Sequence, residues 1–165
     1  MSLLARIGFA IVKWKARRGL QGEVSSPDAE AKLEALGIGA QGERYAYWYL
    51  RRLGYIFLAR NYTPSRSKGE IDLVGFDGNT LAFVEVRTRA AVKGKPGLPE
   101  LSITRDKHEL FVRTANLFLR EWHIPECPVR FDVVAIDNSP GIPPTVRLHK
   151  DALSPVIRRP YLSRI

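Results

Sequence analysis

Two carboxylates, Asp72 and Glu85, stand in strand-like runs, Glu70 to Val74 and Leu81 to Arg87, separated by the turn signal Asp77-Gly78-Asn79. Closing this hairpin on a two-residue turn at Gly78-Asn79 sets Asp77 against Thr80, Leu73 against Val84, Ile71 against Val86 and Asp72 against Glu85. The register that builds an apolar face therefore also pairs two acids. Carboxylates about 5 Å apart repel by roughly 3 kcal/mol at an effective dielectric near 20, so something must neutralise them. The candidates are a divalent cation such as Mg²⁺ or Mn²⁺, which takes oxygen ligands, a shared proton, or a cation such as Arg87 on the same strand face as Glu85. A solvated strand face salt-bridged to arginines is the alternative that needs no site. Leu81 and Phe83 precede Glu85 and Arg87 on their face, which thus passes from core to cleft, as a site at a strand end requires. A metal held there would activate a water and offset charge on a phosphodiester.

The elements that must position this pair follow from periodicity. Ala46, Tyr49, Leu50 and Leu53 form one stripe of a helix over residues 39–53, with Gly54 as its stop. A short strand follows at 55–59, then a polar loop at 61–69 carrying Arg66 and Lys68. After the hairpin strands at 71–76 and 81–88, residues 90–101 form a basic loop in which Lys93 and Lys95 alternate with glycine and proline. Leu110, Phe111, Thr114, Leu117 and Phe118 predict a helix over 104–122, and strands are expected at 130–136 and 145–148. Ahead of all this, Leu3, Leu4, Ile7, Ala10, Ile11 and Trp14 recur at helical spacing among basic residues, and an acidic stretch at 21–36 is expected to hold a short helix capped by Ser26-Pro27 and stopped by Gly37. The expected organisation is an N-terminal extension at 1–37 of two helices, a domain at 38–152 and a basic tail at 153–165. The fold class is α/β (α+β), a mixed sheet in the order helix, three strands, helix, two strands.

The chain has 165 residues and a formal net charge of +9, an excess that favours anionic partners, nucleic acid first and anionic membrane second. Its 45% hydrophobic and 26% charged residues place it with globular rather than disordered chains. The single cysteine, Cys127, excludes an internal disulfide and reads as a packed thiol. His108, His123 and His149 lack zinc-site spacing and read as surface or capping residues. The charges Lys13, Lys15, Arg17 and Arg18 follow the first apolar stretch, against the order of a secretory signal, so a cytoplasmic location is expected.

Several segments together carry a family resemblance: Gly42-Glu43, Arg60-Asn61, Gly69-Glu70-Ile71-Asp72-Leu73-Val74, Phe83-Val84-Glu85-Val86-Arg87-Thr88-Arg89, Lys107 and Arg130-Phe131-Asp132-Val133-Val134. In this order they resemble the YraN family of small bacterial proteins over residues 38–152. That family is similar to the restriction-endonuclease-like, or PD-(D/E)xK, nucleases, which include Holliday-junction resolvases. The resemblance implies a restriction-endonuclease-like core, Mg²⁺ or Mn²⁺ as cofactor, Asp72 and Glu85 as metal ligands, Arg87 as the residue assisting the chemistry, and Glu43 completing the site. Arg87 stands where those nucleases usually carry lysine; it stays protonated and cannot act as a base, but its fork can hold a phosphate.

The expected partner is DNA, of branched or otherwise structured form, with Arg66, Lys68, Arg89, Lys93, Lys95, Arg105 and Lys107 contacting its backbone. The expected activity is phosphodiester hydrolysis. The alternative is a non-catalytic nucleic-acid-binding protein that keeps the nuclease fold. A homodimer, and contact of residues 1–20 with a membrane surface, are further readings of the same sequence.

Overall fold

The computed structural model describes residues 38–65, 67–89, 104–137 and 144–152. The expected N-terminal extension, the loop at 90–101 and the tail at 153–165 lie outside the described residues. The elements are α1 (Ile38–Arg52), β1 (Ile56–Tyr62), β2 (Ile71–Asp77), β3 (Thr80–Arg89), α2 (Arg105–Glu121), β4 (Val129–Asp137) and β5 (Thr145–His149). The strands form one five-stranded sheet in chain order. Neighbours pair antiparallel except β3 and β4, which are parallel. Parallel neighbours need a crossover, and α2 lies within that connection. The chain is thus a mixed α/β protein, and no helix among the described residues is long and apolar enough to cross a membrane.

The hairpin register matches the sequence-based expectation where the ladder is formed, with Asp77 against Thr80 and Leu73 against Val84. Gly78 takes φ 60° as the first of two turn residues, the conformation that lets so short a loop follow the twist of its strands. The expectation of one apolar sheet face is corrected, because both faces are buried. Leu73, Ala82 and Val84 pack with Ala46, Tyr47 and Leu50 of α1. Val74, Phe76, Leu81 and Phe83 pack with Phe111, Ala115 and Phe118 of α2. A central strand beside a parallel neighbour is covered on both sides, so its apolar residues run on without alternation. Ile71, expected beside Leu73, joins the α2-side core, since its ladder partner is Tyr62 of β1 and the pairing with β3 runs from Leu73 onward.

Other differences are local. β1 continues through Asn61 to Tyr62, whose hydroxyl donates to Glu121 Oε2 at 2.7 Å and whose ring meets Phe118 edge-on. Leu53 is 51% exposed and Tyr47 takes its place in the core, because α1 ends at Arg52 and its closing bonds, Gly54 N to Arg51 O and Tyr55 N to Leu50 O, turn the chain away. His108 is buried rather than superficial, one turn before Phe111 on the face of α2 that meets the sheet. Cys127 packs against the α2-side core, and burial pushes its thiol up to about 11.

One glycine decides how closely α1 approaches the sheet. A Cβ on Gly42 would lie 1.7 Å from Thr88 Oγ1 and 2.8 Å from Thr88 Cβ, so rotating the hydroxyl alone does not clear it. Gly42→Ala is therefore expected to destabilise the domain by about 1–3 kcal/mol through overpacking, read as a lowered midpoint in urea unfolding.

Candidate active site

Glu85 and Arg87 follow Leu81 and Phe83 along β3, so the face buried under α2 ends in charged side chains as the chain leaves the core. Asp72 lies one residue beyond the last β2–β3 ladder pair. Its Oδ2 accepts a hydrogen bond from Val86 N at 2.6 Å, so a side chain takes over where the ladder stops. This contact ties Asp72 to the residue beside Glu85 and brings the expected acidic pair together.

The charges on the pair are handled differently. Burial pushes the Asp72 carboxyl up to about 7, opposed by the Val86 N–H and assisted by the negative charges of Glu85, Glu43 and Glu70. Glu85 is buried, at 8% exposure, and carries two cations on one oxygen: Lys107 Nζ lies 2.7 Å from Oε1 and Arg87 Nε 3.4 Å from it. The arginine contact is an ion pair outside hydrogen-bond geometry. Arg87 Nε and Nη2 are both buried without an acceptor, and Thr88 Oγ1 beside them in sequence shares that condition. Buried donors left unpaired are costly, so an acceptor arriving at Arg87 would be favoured.

Among the described residues no three His, Cys, Asp or Glu side chains gather as a ready-made metal cage. The donors that are present nonetheless fit one kind of ion. Mg²⁺ and Mn²⁺ take hard oxygen ligands, and Mg²⁺ is commonly held by one or two carboxylates with the remaining positions left to water and phosphate. An acid held above its ordinary range by burial, with the negative charges of Glu85, Glu43 and Glu70 adding to it, fits such a cation electrostatically. Glu43, next to Gly42 on α1, reaches the site through this field.

The basic residues divide. Lys68 is exposed in the β1–β2 loop, and Arg105 is exposed on α2 with its Nε 3.0 Å from Glu109 Oε1. Arg66, Lys93 and Lys95 lie outside the described residues, as does the side chain of Arg89. Lys107, expected as a nucleic-acid contact, reaches Glu85. Its place in the first turn of α2 follows from Thr104, whose side chain accepts from Lys107 N and starts the helix.

A second polar cluster was visible in sequence only as the run Arg130-Phe131-Asp132. Asp132 is fully buried and accepts from Arg130 Nε at 2.7 Å, Arg130 Nη2 at 2.9 Å, Tyr55 Oη at 3.2 Å and Asp151 N at 3.0 Å. Arg130 Nη2 and Lys150 Nζ both reach Asp77 Oδ2 at 2.7 Å. The cluster lies at the hairpin-turn end of β2, away from Asp72, and joins four strand ends by mutually satisfied bonds.

Fold and site together define a mixed α/β protein with a paired-carboxylate site where β2 and β3 part. The chain belongs to the uncharacterised protein family UPF0102, whose family model matches residues 42–136, a span holding Glu43, Asp72, Glu85, Arg87, Lys107 and Asp132. The resemblance to the YraN family is thereby borne out. It is 43% identical over 99 residues to a UPF0102 protein of Chlorobaculum tepidum, covering 60% of this chain and 74% of that one. A UPF0102 protein of Caldicellulosiruptor saccharolyticus is 39% identical over 100 residues, covering 60% of this chain and 80% of the relative. One of Desulfosudis oleivorans is 43% identical over 105 residues, covering 61% and 81%.

Proposed function

We propose that this protein is a divalent-metal-dependent nuclease that hydrolyses phosphodiester bonds in DNA, with structured or branched DNA as substrate. The observation that carries the reading is Asp72, a partly buried acid raised to about 7 beside Glu85, with Arg87 offering unpaired donors next to it. Asp72 and Glu85 would hold Mg²⁺ or Mn²⁺. When bound, the ion would lower the pKa of a coordinated water and offset charge on the attacked phosphate.

The chain's own residues do the rest. Val86 N–H fixes the Asp72 carboxylate in place before any ligand arrives, and such preorganisation is what positions a reacting group. Arg87, always protonated, holds a phosphate and stabilises charge developing on it. Glu43 orients water from α1. Lys68 and Arg105, with Arg66, Arg89, Lys93 and Lys95, contact the DNA backbone, which gives affinity without reading base sequence.

Incubation with Mg²⁺ or Mn²⁺ and a panel of single-stranded, duplex, flap and four-way DNA is expected to give metal-dependent cleavage that chelator stops. Cleavage of none of them, or cleavage surviving Asp72→Ala, would remove the catalytic reading. Lys107 and Arg87 already neutralise Glu85 without metal, which favours a second reading, a non-catalytic DNA-binding protein on the same fold. It predicts binding that weakens with salt and ignores divalent ions.

A further inference from the structure

One carboxylate oxygen of Glu85, a proposed metal ligand, is occupied by a lysine from another element. Lys107 Nζ sits 2.7 Å from Glu85 Oε1, with the lysine side chain 53% exposed and the glutamate side chain 10% exposed. A flexible stem thus reaches from solvent to a buried acid.

Its position in the helix does not account for this. Lys107 lies in the first turn of α2, where the N-terminal dipole disfavours a cation; Asp106 beside it is the residue suited to that end. The two cations on Glu85 also differ. Arg87 is three-quarters buried on β3 and fixed by the strand, whereas lysine is a compact charge on four rotatable carbons and can leave without backbone movement.

We infer that Lys107 is a built-in counter-cation that holds Glu85 until a divalent ion displaces it, an exchange that rests on the metal-dependent reading above. A divalent ion at Glu85 repels the neighbouring ammonium more strongly than the singly charged Arg87 does at 3.4 Å, so entry of the ion drives the mobile lysine off. The stem, still anchored on the first turn of α2, then carries its charge at the edge of the site, beside an incoming phosphate. Before metal arrives, Lys107 lowers the repulsion between Glu85 and Asp72. After exchange, it adds to the positive charge facing the DNA.

The test compares Mn²⁺ binding, followed by the electron paramagnetic resonance of the free ion, in the wild type, Lys107→Met, Lys107→Arg and Asp72→Asn, with thermal unfolding in chelator as the fold control. Lys107→Met is expected to bind Mn²⁺ about tenfold more tightly, the size of roughly 1.4 kcal/mol of lost competition, while cleaving DNA at least several-fold more slowly. Lys107→Arg is expected to keep the wild-type affinity. A merely structural lysine would lower affinity and cleavage together. Binding that depends on Asp72 but is equal or weaker in Lys107→Met overturns the exchange and leaves the metal site standing. Absence of Asp72-dependent binding in both wild type and Lys107→Met overturns the metal site, and the exchange with it.

Discussion

Truncating Asp132 to alanine is expected to lower stability by about 3–5 kcal/mol, enough to leave a marginal domain largely unfolded. The carboxylate is fully buried and receives four hydrogen bonds. Removing it leaves Arg130, whose side chain is 18% exposed, to share Asp77 with Lys150, and takes from the Tyr55 hydroxyl the carboxylate it donates to. Most of the loss comes from the half-compensated cation and the donors left without an acceptor rather than from the pair itself. Replacing both partners, Arg130→Met with Asp132→Leu, is therefore expected to cost less than Asp132→Ala alone. Urea unfolding of the three proteins at neutral pH checks this; a loss under about 1 kcal/mol for Asp132→Ala would show that the buried charge is not uncompensated. Asp77 sets the acid limit of the cluster. Its carboxyl is held below the ordinary range by bonds from Lys150 and Arg130 that outweigh the opposing effect of burial. Its stabilising contribution is thus present above the unfolded carboxylate range and disappears as pH falls through its lowered value.

Asp72→Asn is expected to separate function from stability. The asparagine Oδ1 can still accept from Val86 N–H, so the local geometry survives, but the anionic ligand is gone. Metal-dependent cleavage should fall about 10³-fold or more, since a metal-organised reaction draws several kcal/mol from its ligands and each 1.36 kcal/mol is a factor of ten. Glu85→Gln should fall similarly. In chelator, the Asp72→Asn protein should be as stable as the wild type at pH 8, or more so. Asp72 is raised to about 7 in the fold, above the ordinary carboxylate value of 3.8, so the unfolded state ionises first. Wild-type stability therefore drops as pH rises between those values, and the asparagine variant escapes that drop. Denaturant titrations at pH 4 and pH 8 should show the difference between the two proteins grow at the higher pH. A variant that unfolds more easily than wild type at pH 8 would mean that the Asp72 charge supports the fold.

The hairpin was the most legible part of the sequence. A glycine-containing two-residue turn leaves little freedom in register, so Leu73 could be paired with Val84 and Asp77 with Thr80 from spacing alone, whereas Asp72 lies beyond the ladder and bonds Val86 N through its side chain. Helix ends were legible for the same local reason, through Gly54 after α1 and Thr104 before α2. What escaped depends on contacts far apart in the chain. Lys107 reaches Glu85 from 22 residues away, and the Tyr55–Asp132 bond spans 77. No periodicity reports such pairs. Burial on both sheet faces was missed because alternation was sought in the hairpin by itself, without the helices that the parallel β3–β4 pair places over it. His108 was misplaced for a related reason: on the helical stripe with Phe111, Ala115 and Phe118, its position outweighs its polarity.

Locating Mn²⁺ by anomalous diffraction from crystals of the full chain tests the central claim most directly. The account predicts one strong peak bridging the carboxylates of Asp72 and Glu85, with Lys107 Nζ moved away from Glu85 Oε1. Manganese bound elsewhere, or no peak between the two acids at millimolar Mn²⁺ with the lysine still in contact with Glu85, would contradict it.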